Sequence, residues 1–254
     1  MRIDVLSIFP ELFDAVHGTG ITGRAAVNAL WSLHRWNPRD YAVDAYRRVD
    51  DRAYGGGPGM VMLVEPLKRA LQAAREDAAA NGFDAGPVIL MSPQGRRLDH
   101  QRVAALSTEP NLTLIAGRYE AIDQRFVDRY VDEEVSIGDF VVSGGELPAM
   151  LLIDALVRLL PGAVNDPASV EQDSFVNGLL DAPHYTRPEI GEAGSVPPVL
   201  LSGNHKKIER WRREQSLAIT ASRRPDLIDV ARAAGRLSPD DEAFLRTAAS
   251  RVQE

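Results

Sequence analysis

Three short apolar segments, separated by helical segments, place the strongest limit on the fold of this chain. They are PVILM at 87–91, LTLIA at 112–116 and EEVSI at 133–137, and each has the length of one buried strand. Helical patterns lie between them at 99–106 and 123–130. Alternating strands and helices are typical of a mostly parallel sheet with helices on its faces. The sequence therefore predicts an α/β fold for this part of the chain.

A loop of small or polar residues follows each of these strands. The loops are SPQG at 92–95, GRYE at 117–120 and GDFVVSGGE at 138–146. Ligands of open parallel sheets bind at the carboxyl ends of the strands, so we expect the three loops to form one shared pocket. The chain contains neither G-x-G-x-x-G nor G-x-x-x-x-G-K-[ST], so a nicotinamide cofactor or a nucleoside triphosphate is not supported.

Two further strands are expected near the amino terminus, at 2–9 and 31–37, and an amphipathic helix is expected at 65–80. The glycine-rich segment 54–60 is incompatible with regular structure. It is either a plain surface loop or a flexible lid where the backbone approaches a ligand closely.

The predicted elements change in type after a helix at 147–160, which Pro161 and Gly162 end. Beyond it the pattern is entirely helical, with helices expected at 172–180, 204–222, 225–234 and 238–252. We therefore predict an α/β domain, a linker and a small all-α domain, at 1–162, 163–175 and 176–254.

Composition excludes several classes of protein. Without cysteine, neither a disulfide framework nor a thiolate metal site can form, and the histidines lack metal-ligand spacing. The first residues lack the pattern of a signal peptide, and the apolar segment 150–160 contains Asp154 and Arg158 and is too short to span a bilayer. We expect a cytoplasmic protein with no membrane partner.

Positive charge is concentrated in one segment of an acidic chain. The formal net charge is −7, yet residues 204–224 contain seven Lys and Arg against two acids. Such a segment favours contacts with nucleic-acid phosphates, notably through Lys206, Lys207, Arg212 and Arg213. A solvated helix face with one buried tryptophan, Trp211, is the alternative interpretation.

Two charged residues near the predicted linker have no assigned role on spacing alone. Asp173, in VEQDSF, has the pattern of a solvated acid or a helix cap. Arg158, in the last turn of the preceding helix, suits the negative helix terminus.

Longer motifs along nearly the whole chain are more specific than any of these patterns. They are IFPE at 8–11, DDRAYGGGPGMVM at 50–62, SPQG at 92–95, GRYEAID at 117–123, SIGDFVVSGGELPAM at 136–150, EQDSF at 171–175, LLDAPHYTRP at 179–188 and VPPVLLSGNH at 196–205. In this order they resemble the bacterial tRNA (guanine-37-N1)-methyltransferases, of the trefoil-knot (SPOUT) methyltransferase superfamily.

The resemblance implies a deep trefoil knot in the amino-terminal domain, S-adenosyl-L-methionine as methyl donor and tRNA as substrate. It also implies an obligate homodimer, in which each active site combines the knot of one subunit with the linker and carboxy-terminal domain of the other. A Mg²⁺ requirement is implied too, and Glu120 is a candidate for it. The sequence contains no ligand cluster, so we assign no metal-binding residue.

Site residues follow from the matched motifs. Asp173 corresponds to the general base of the family, Arg158 to its partner at the guanine, and Asp181 and His184 to positions near the target base. Phe140 and Ala182 replace a common Tyr and a common Cys. The positions expected to bind the donor are Met91, Ser92, Pro93, Gln94, Gly117, Tyr119, Glu120, Ile137, Gly138, Asp139, Phe140, Val141, Val142, Gly144 and Gly145.

Guanine N1 carries a proton and is a poor nucleophile at neutral pH, so a positioned carboxylate is needed to remove that proton. The alternatives are a knotted methyltransferase that acts on a ribose hydroxyl or another base, and a non-catalytic RNA-binding module with a degenerate donor site. The carboxylate in EQDSF favours a base with an acidic N–H, and the intact SPQG, GRYE and SGGE motifs argue against a degenerate site.

Overall fold

A computed structural model describes the backbone of residues 1–251 and the side chains of residues 1–248. The chain divides into two compact units, unit 1 (Met1–Pro167) and unit 2 (Ala168–Glu254). The assignment of 163–175 as a linker stays a prediction. The last residue of the helix expected at 238–252 lies outside the described residues.

Unit 1 contains eight strands among its described residues. In chain order they are β1 (Arg2–Leu6), β2 (Ser32–Trp36), β3 (Asp50–Arg52), β4 (Met60–Met62), β5 (Val88–Arg97), β6 (Asn111–Ala116), β7 (Ala121–Ile122) and β8 (Glu133–Ser136). The α-helices of the unit are α1 (Asp14–Gly18), α2 (Gly20–Val27), α3 (Val64–Ala80), α4 (His100–Leu106), α5 (Gln124–Tyr130) and α6 (Glu146–Leu159). Two short 3₁₀ helices, Pro10–Phe13 and Pro38–Tyr41, complete it.

Five parallel strands form the central sheet, in the order β2-β1-β6-β5-β8. The predicted α/β fold with a mostly parallel sheet is therefore confirmed. A second, three-stranded sheet in the order β3-β4-β7 combines one antiparallel and one parallel pair, and the sequence gives no signal for it.

Both faces of the central sheet are buried, because alternate side chains of each inner strand enter different clusters. Ile89 and Met91 of β5 face a cluster that includes α6, whereas Val88 and Leu90 face one that includes α3. Two apolar faces explain why these strands appear in the sequence as continuous apolar segments.

Local signals in the sequence set several helix boundaries. The carboxylate of Asp99 accepts a hydrogen bond from the backbone N–H of Arg102 at 2.8 Å, which caps α4. Asp123 caps α5 in a similar way, through the N–H of Arg125 at 2.9 Å. These caps place the starts of both helices within a residue of the predicted positions.

Unit 2 is mainly helical, with a single two-stranded ladder among its described residues. Its helices are α7 (Ala168–Glu171), α8 (Pro198–Leu201), α9 (His205–Arg223), α10 (Pro225–Ala233) and α11 (Pro239–Arg251), and its strands are β9 (Ile190–Gly191) and β10 (Gly194–Ser195). A small core of Leu179, Leu217, Ile228, Ala231 and Leu245 packs α9, α10 and α11 against one another. The ladder is a departure from the predicted all-α composition.

The helix predicted at 172–180 is wrong, since α7 ends at Glu171. Phe175 and Gly178 both have positive φ, at 77° and 83°, which a right-handed helix does not allow. The N–H of Phe175 donates to the carbonyl of Leu179 at 2.7 Å and closes a tight turn instead. Burial of Leu179 in the core of unit 2 fixes this turn.

No helix among the described residues is long and apolar enough to cross a membrane.

Candidate active site

One cavity, with a volume of about 270 Å³, is lined by residues from the middle of β5 and from the segments that follow β6 and β8. The three segments therefore meet at one cavity, as expected from the pattern of the sequence. Of the positions that the family resemblance assigns to the donor, those lining the cavity are Met91, Ser92, Pro93, Gln94, Gly117, Tyr119, Glu120, Ile137, Phe140, Val141, Val142, Gly144 and Gly145. Gly138 and Asp139 do not line it, and binding of a donor at all these positions stays a prediction.

The SPQG segment is a bulge inside β5, and the interpretation of 92–95 as a loop beyond the strand is wrong. Met91 and Arg96 both pair with Val135 of β8, so the four residues between them leave the ladder, and the first three of them line the cavity. A Cβ on Gly95 would lie 2.3 Å from the backbone carbon of Glu134. Only glycine therefore lets the strand rejoin β8 after the bulge.

The two glycines before α6 bring the second and third cavity segments into contact. The N–H of Gly145 donates to the carbonyl of Gly117 at 2.8 Å. A Cβ on Gly145 would lie 2.7 Å from the Cα of Ala116, and one on Gly144 would lie 2.2 Å from Nε of Arg118. Gly145 thus allows close packing of backbone on backbone, and Gly144 leaves room for the side chain of Arg118.

Tyr119 holds the segment after β6 in a conformation unusual for its residue type, with φ at 62°. Its hydroxyl accepts a hydrogen bond from Nη2 of Arg39 at 3.0 Å. Burial and a hydrogen bond to Asp50 raise the pKa of Tyr119, although Arg39 acts in the opposite direction. The tyrosine therefore connects the cavity wall to the segment that precedes β3.

A salt bridge at the cavity wall has no counterpart in the sequence analysis. Nε of Arg118 lies 2.7 Å from Oε2 of Glu146, whose side chain is completely buried. Ser7 donates its hydroxyl to the other carboxylate oxygen at 2.7 Å. The only signal for this pair is the acid directly after the glycines of SGGE, which also has the pattern of a first-turn helix residue.

The glycine-rich segment lies beside this cavity. Gly55, Gly56, Gly57 and Gly59 all have positive φ, which explains the choice of glycine. A Cβ on Gly59 would lie 2.9 Å from the Cβ of Glu120, a cavity residue. Among the described residues, no three or more His, Cys, Asp or Glu side chains are arranged to hold a metal ion. The Mg²⁺ requirement implied by the resemblance stays a prediction.

Arg158 and Asp173 lie in different units. Arg158 occupies the last turn of α6 in unit 1, as predicted. Asp173 follows α7 in unit 2, where its N–H donates to the carbonyl of Val170 at 3.3 Å. The expected cap of a helix at 172–180 is therefore replaced by a turn, and the pairing of Asp173 with Arg158 at a target base stays a prediction.

Asp181 and His184 form a hydrogen-bonded pair in unit 2, with 2.8 Å between Oδ2 and Nε2. His184 also borders an open cleft of about 570 Å³. Tyr185, Arg187 and Arg212 line the same cleft, and the Tyr185 ring lies 6.2 Å from that of Trp211. Aromatic rings beside cations are typical of surfaces that bind single-stranded nucleic acid.

The cations of α9 have two different environments. Lys206, Lys207 and Arg212 are exposed, and the side chains described for residues 1–248 form no ion pair with them. Arg213 instead lies 3.0 Å from Oδ2 of the buried Asp241 in α11. Arg213, which the sequence analysis grouped with the other three, therefore connects two helices of unit 2.

Comparisons with known proteins agree with the family resemblance of the sequence motifs. A sequence profile described as tRNA (guanine-1)-methyltransferase TrmD matches residues 1–230. A Cupriavidus metallidurans protein named tRNA (guanine-N(1)-)-methyltransferase is 59% identical over 252 residues, covering 99% of this chain and 97% of that protein. A Janthinobacterium protein of the same name is 57% identical over 245 residues, covering 96% of this chain and 98% of that protein. The chain belongs to the tRNA (guanine-1)-methyltransferase TrmD family.

Proposed function

We propose that this tRNA methyltransferase transfers a methyl group from S-adenosyl-L-methionine to N1 of guanosine 37, next to the anticodon. The observation that carries the proposal is the single cavity where the SPQG, GRYE and SGGE segments meet. These are the segments in which the sequence matches the family, and they occupy the ligand-binding edge of a parallel sheet.

The cavity suits a nucleoside with an amino-acid tail. Leu90, Ile122, Ile137 and Pro148 give it apolar walls, and Ser92, Gln94 and Glu120 add polar groups. We assign donor binding to the residues predicted above, including Gly138 and Asp139, which lie in the same segment. The donor supplies an activated methyl group, and this chain supplies its orientation.

We assign Asp173 as the general base, whose carboxylate accepts the proton of guanine N1. Removal of that proton as the methyl group arrives is general-base catalysis, which typically contributes about 10²–10⁴-fold. Negative charge then builds on the neighbouring exocyclic oxygen. We assign Arg158 to stabilise it, because a guanidinium is always charged and presents planar donors.

We assign recognition of the tRNA to unit 2. Lys206, Lys207 and Arg212 present exposed positive charge for phosphates, and Asp181 and His184 supply hydrogen-bonding groups for a base. Arg213 contributes to this surface indirectly. Its guanidinium is paired with Asp241 of α11 and so holds α9, which carries the other three cations, in place.

We further propose an active homodimer with active sites shared between subunits. Phe140, Val141, Leu147 and Leu151 are large apolar residues of unit 1 with half or more of their area exposed, and the last two are one turn apart on α6. An exposed apolar group of this size favours a protein interface. Sedimentation equilibrium should give a dimer, and Leu147→Asp with Leu151→Asp should give a monomer without activity. An active monomer would contradict the shared site.

The trefoil knot of unit 1 and the cytoplasmic location are also proposals. The resemblance to the trefoil-knot methyltransferases supports the knot. A crystal structure in which the traced backbone does not thread through a loop of unit 1 would contradict the knot. Recovery of the protein with the membrane fraction would contradict the location.

The function is tested with purified protein, labelled donor and two tRNA transcripts that differ only at position 37. Mass spectrometry of nuclease digests should find 1-methylguanosine at position 37 in the transcript with guanosine there, and no methylation in the transcript with adenosine. A methylated ribose, another methylated base or a different position would overturn the assignment.

A further inference from the structure

The cavity wall contains a charged pair that the proposed chemistry does not use. Arg118 is the one Lys, Arg or His among the described residues that line the cavity. Its partner Glu146 lies behind it at the first position of α6, with no exposed area. The buried carboxylate of Glu146 cancels most of the positive charge of the partly buried Arg118 guanidinium, and the acids that line the cavity itself are Glu120 and Glu134.

Three residues from two other segments hold the pair. Ser7, directly after β1, donates to Oε1 of Glu146 at 2.7 Å. The guanidinium carbon of Arg118 lies 4.7 Å from the centre of the Phe9 ring, and Nη1 donates to the carbonyl of Ser143 at 3.3 Å. With so many partners, Arg118 has a fixed position rather than the freedom of a surface arginine.

The charge of the donor makes neutralisation of Arg118 favourable for donor binding. S-adenosyl-L-methionine carries a positive sulfonium, and the product S-adenosylhomocysteine has the same shape without the methyl group and its charge. A lone arginine at the wall would repel the donor and not the product. Such a wall would retain product at the expense of donor.

Resting on the donor site proposed above, we infer that Glu146 is a positioning residue that neutralises Arg118, so that the cavity accepts a cationic donor. Arg118 then fastens the segments 117–120 and 143–146 to each other without electrostatic repulsion of the sulfonium. The pair therefore sets the preference between donor and product as well as the shape of the wall.

The test measures dissociation constants of the full-length protein for the donor and for S-adenosylhomocysteine by isothermal titration. Glu146→Gln keeps the shape and a hydrogen-bond acceptor but removes the negative charge. The ratio of the donor constant to the product constant should rise roughly threefold to tenfold. Ser7→Ala is the matched control, because it removes a hydrogen bond to Glu146 without changing a charge, and it should leave the ratio unchanged.

A second variant separates charge from packing. Glu146→Gln combined with Arg118→Gln removes both charges, so the ratio should return to within about twofold of the wild type. Equal weakening of both ligands in Glu146→Gln, or no recovery in the double variant, would overturn the inference.

Circular dichroism first establishes that each variant is folded. If Glu146→Gln is not folded, Arg118→Gln alone gives the answer, because without the cation the ratio must fall or stay, and a rise overturns the inference. Wild-type protein that binds neither ligand would overturn the donor site itself. Wild-type binding with an unaltered ratio in Glu146→Gln overturns only the role of the pair.

Discussion

The cation at the cavity of unit 1 and the exposed cations of α9 in unit 2 have different environments, although Arg213 of unit 2 is also paired with a buried carboxylate. In unit 1, Arg2 and Arg118 are paired with the buried carboxylates of Asp4 and Glu146, each at 2.7 Å. In unit 2, Lys206, Lys207 and Arg212 are exposed and form no ion pair with the described side chains. Paired buried charge shapes a small cavity, whereas exposed charge attracts a polyanion over a distance. This difference fits the donor site proposed for unit 1 and the tRNA-binding surface proposed for unit 2.

The largest expected effect is on the chemistry alone. Asp173→Asn removes the proposed base and should lower methyl transfer by about 10²–10⁴-fold, because the proton of guanine N1 then has no acceptor. Single-turnover assays with saturating donor and tRNA measure this. Glu171→Gln, a nearby exposed acid in α7, is the control and should remain active. A loss of donor affinity equal to the loss of rate would contradict a role in catalysis.

Neutralising the exposed cations of α9 should weaken tRNA binding and leave donor binding unchanged. Replacing Lys206, Lys207 and Arg212 by Ala should weaken tRNA binding by about 10–100-fold at low salt and flatten its salt dependence. The matched control replaces three cations of α3 in unit 1, Lys68, Arg69 and Arg75, by Ala.

Filter binding across a salt series gives both slopes. If the α3 variant loses as much affinity as the α9 variant, the net charge of the chain rather than the surface of unit 2 attracts tRNA.

A methyl group added where the segments 117–120 and 143–146 touch should weaken donor binding and leave tRNA binding unchanged. In Gly145→Ala the new Cβ would meet the Cα of Ala116 at 2.7 Å, although the backbone φ of −75° is ordinary for alanine. We expect about tenfold weaker donor binding and a stability loss of about 1–3 kcal/mol from the displaced backbone.

Gly18→Ala is the control, since a Cβ there meets nothing within 4 Å. Titration calorimetry compares donor affinities, and tRNA binding of both variants should stay near the wild-type value. Unchanged donor affinity in Gly145→Ala would show that the contact between the two segments does not shape the site.

The smallest expected effect is on stability alone. Burial raises the pKa of Asp241, but the hydrogen bonds and charge of Arg213 and the N–H of Ser238 outweigh it, so the pKa lies below its ordinary value. Asp241 therefore stabilises the fold above its unfolded pKa, and this contribution is lost as the pH falls through the folded value. Asp241→Asn should cost about 1–3 kcal/mol at pH 7 and less at acidic pH.

Urea unfolding at several pH values measures this difference, with the exposed Asp240→Asn as control. Donor affinity should not change in either variant. A loss from Asp241→Asn that is the same at pH 7 and at acidic pH would mean that packing rather than charge is responsible.

Much of unit 1 could be predicted because its signals are local. The apolar segments at 87–91 and 112–116 lie in β5 and β6, and the carboxylates of Asp99 and Asp123 cap the helices that were expected there. The meeting of three segments at one cavity followed from the rule that parallel strands end at the same edge.

The parts that could not be predicted depend on contacts between distant residues. The bulge in β5 is visible only when Met91 and Arg96 are seen to share one partner on β8. The turn at 175–179 depends on burial of Leu179 among helices much later in the chain. In the sequence Arg213 is indistinguishable from the neighbouring cations, and only its contact with Asp241 of α11 sets it apart.

The sequence by itself determined the family, the alternation of strands and helices and the three segments that meet at the cavity, because motifs and periodicity are local properties of the chain. Only the tertiary structure decided which charges are neutralised. Ser7, Arg118 and Glu146 are far apart in sequence, and their hydrogen bonds exist only after β1, β6 and α6 have packed together. Electrostatic character at a site depends on distance and burial, which the order of residues does not specify.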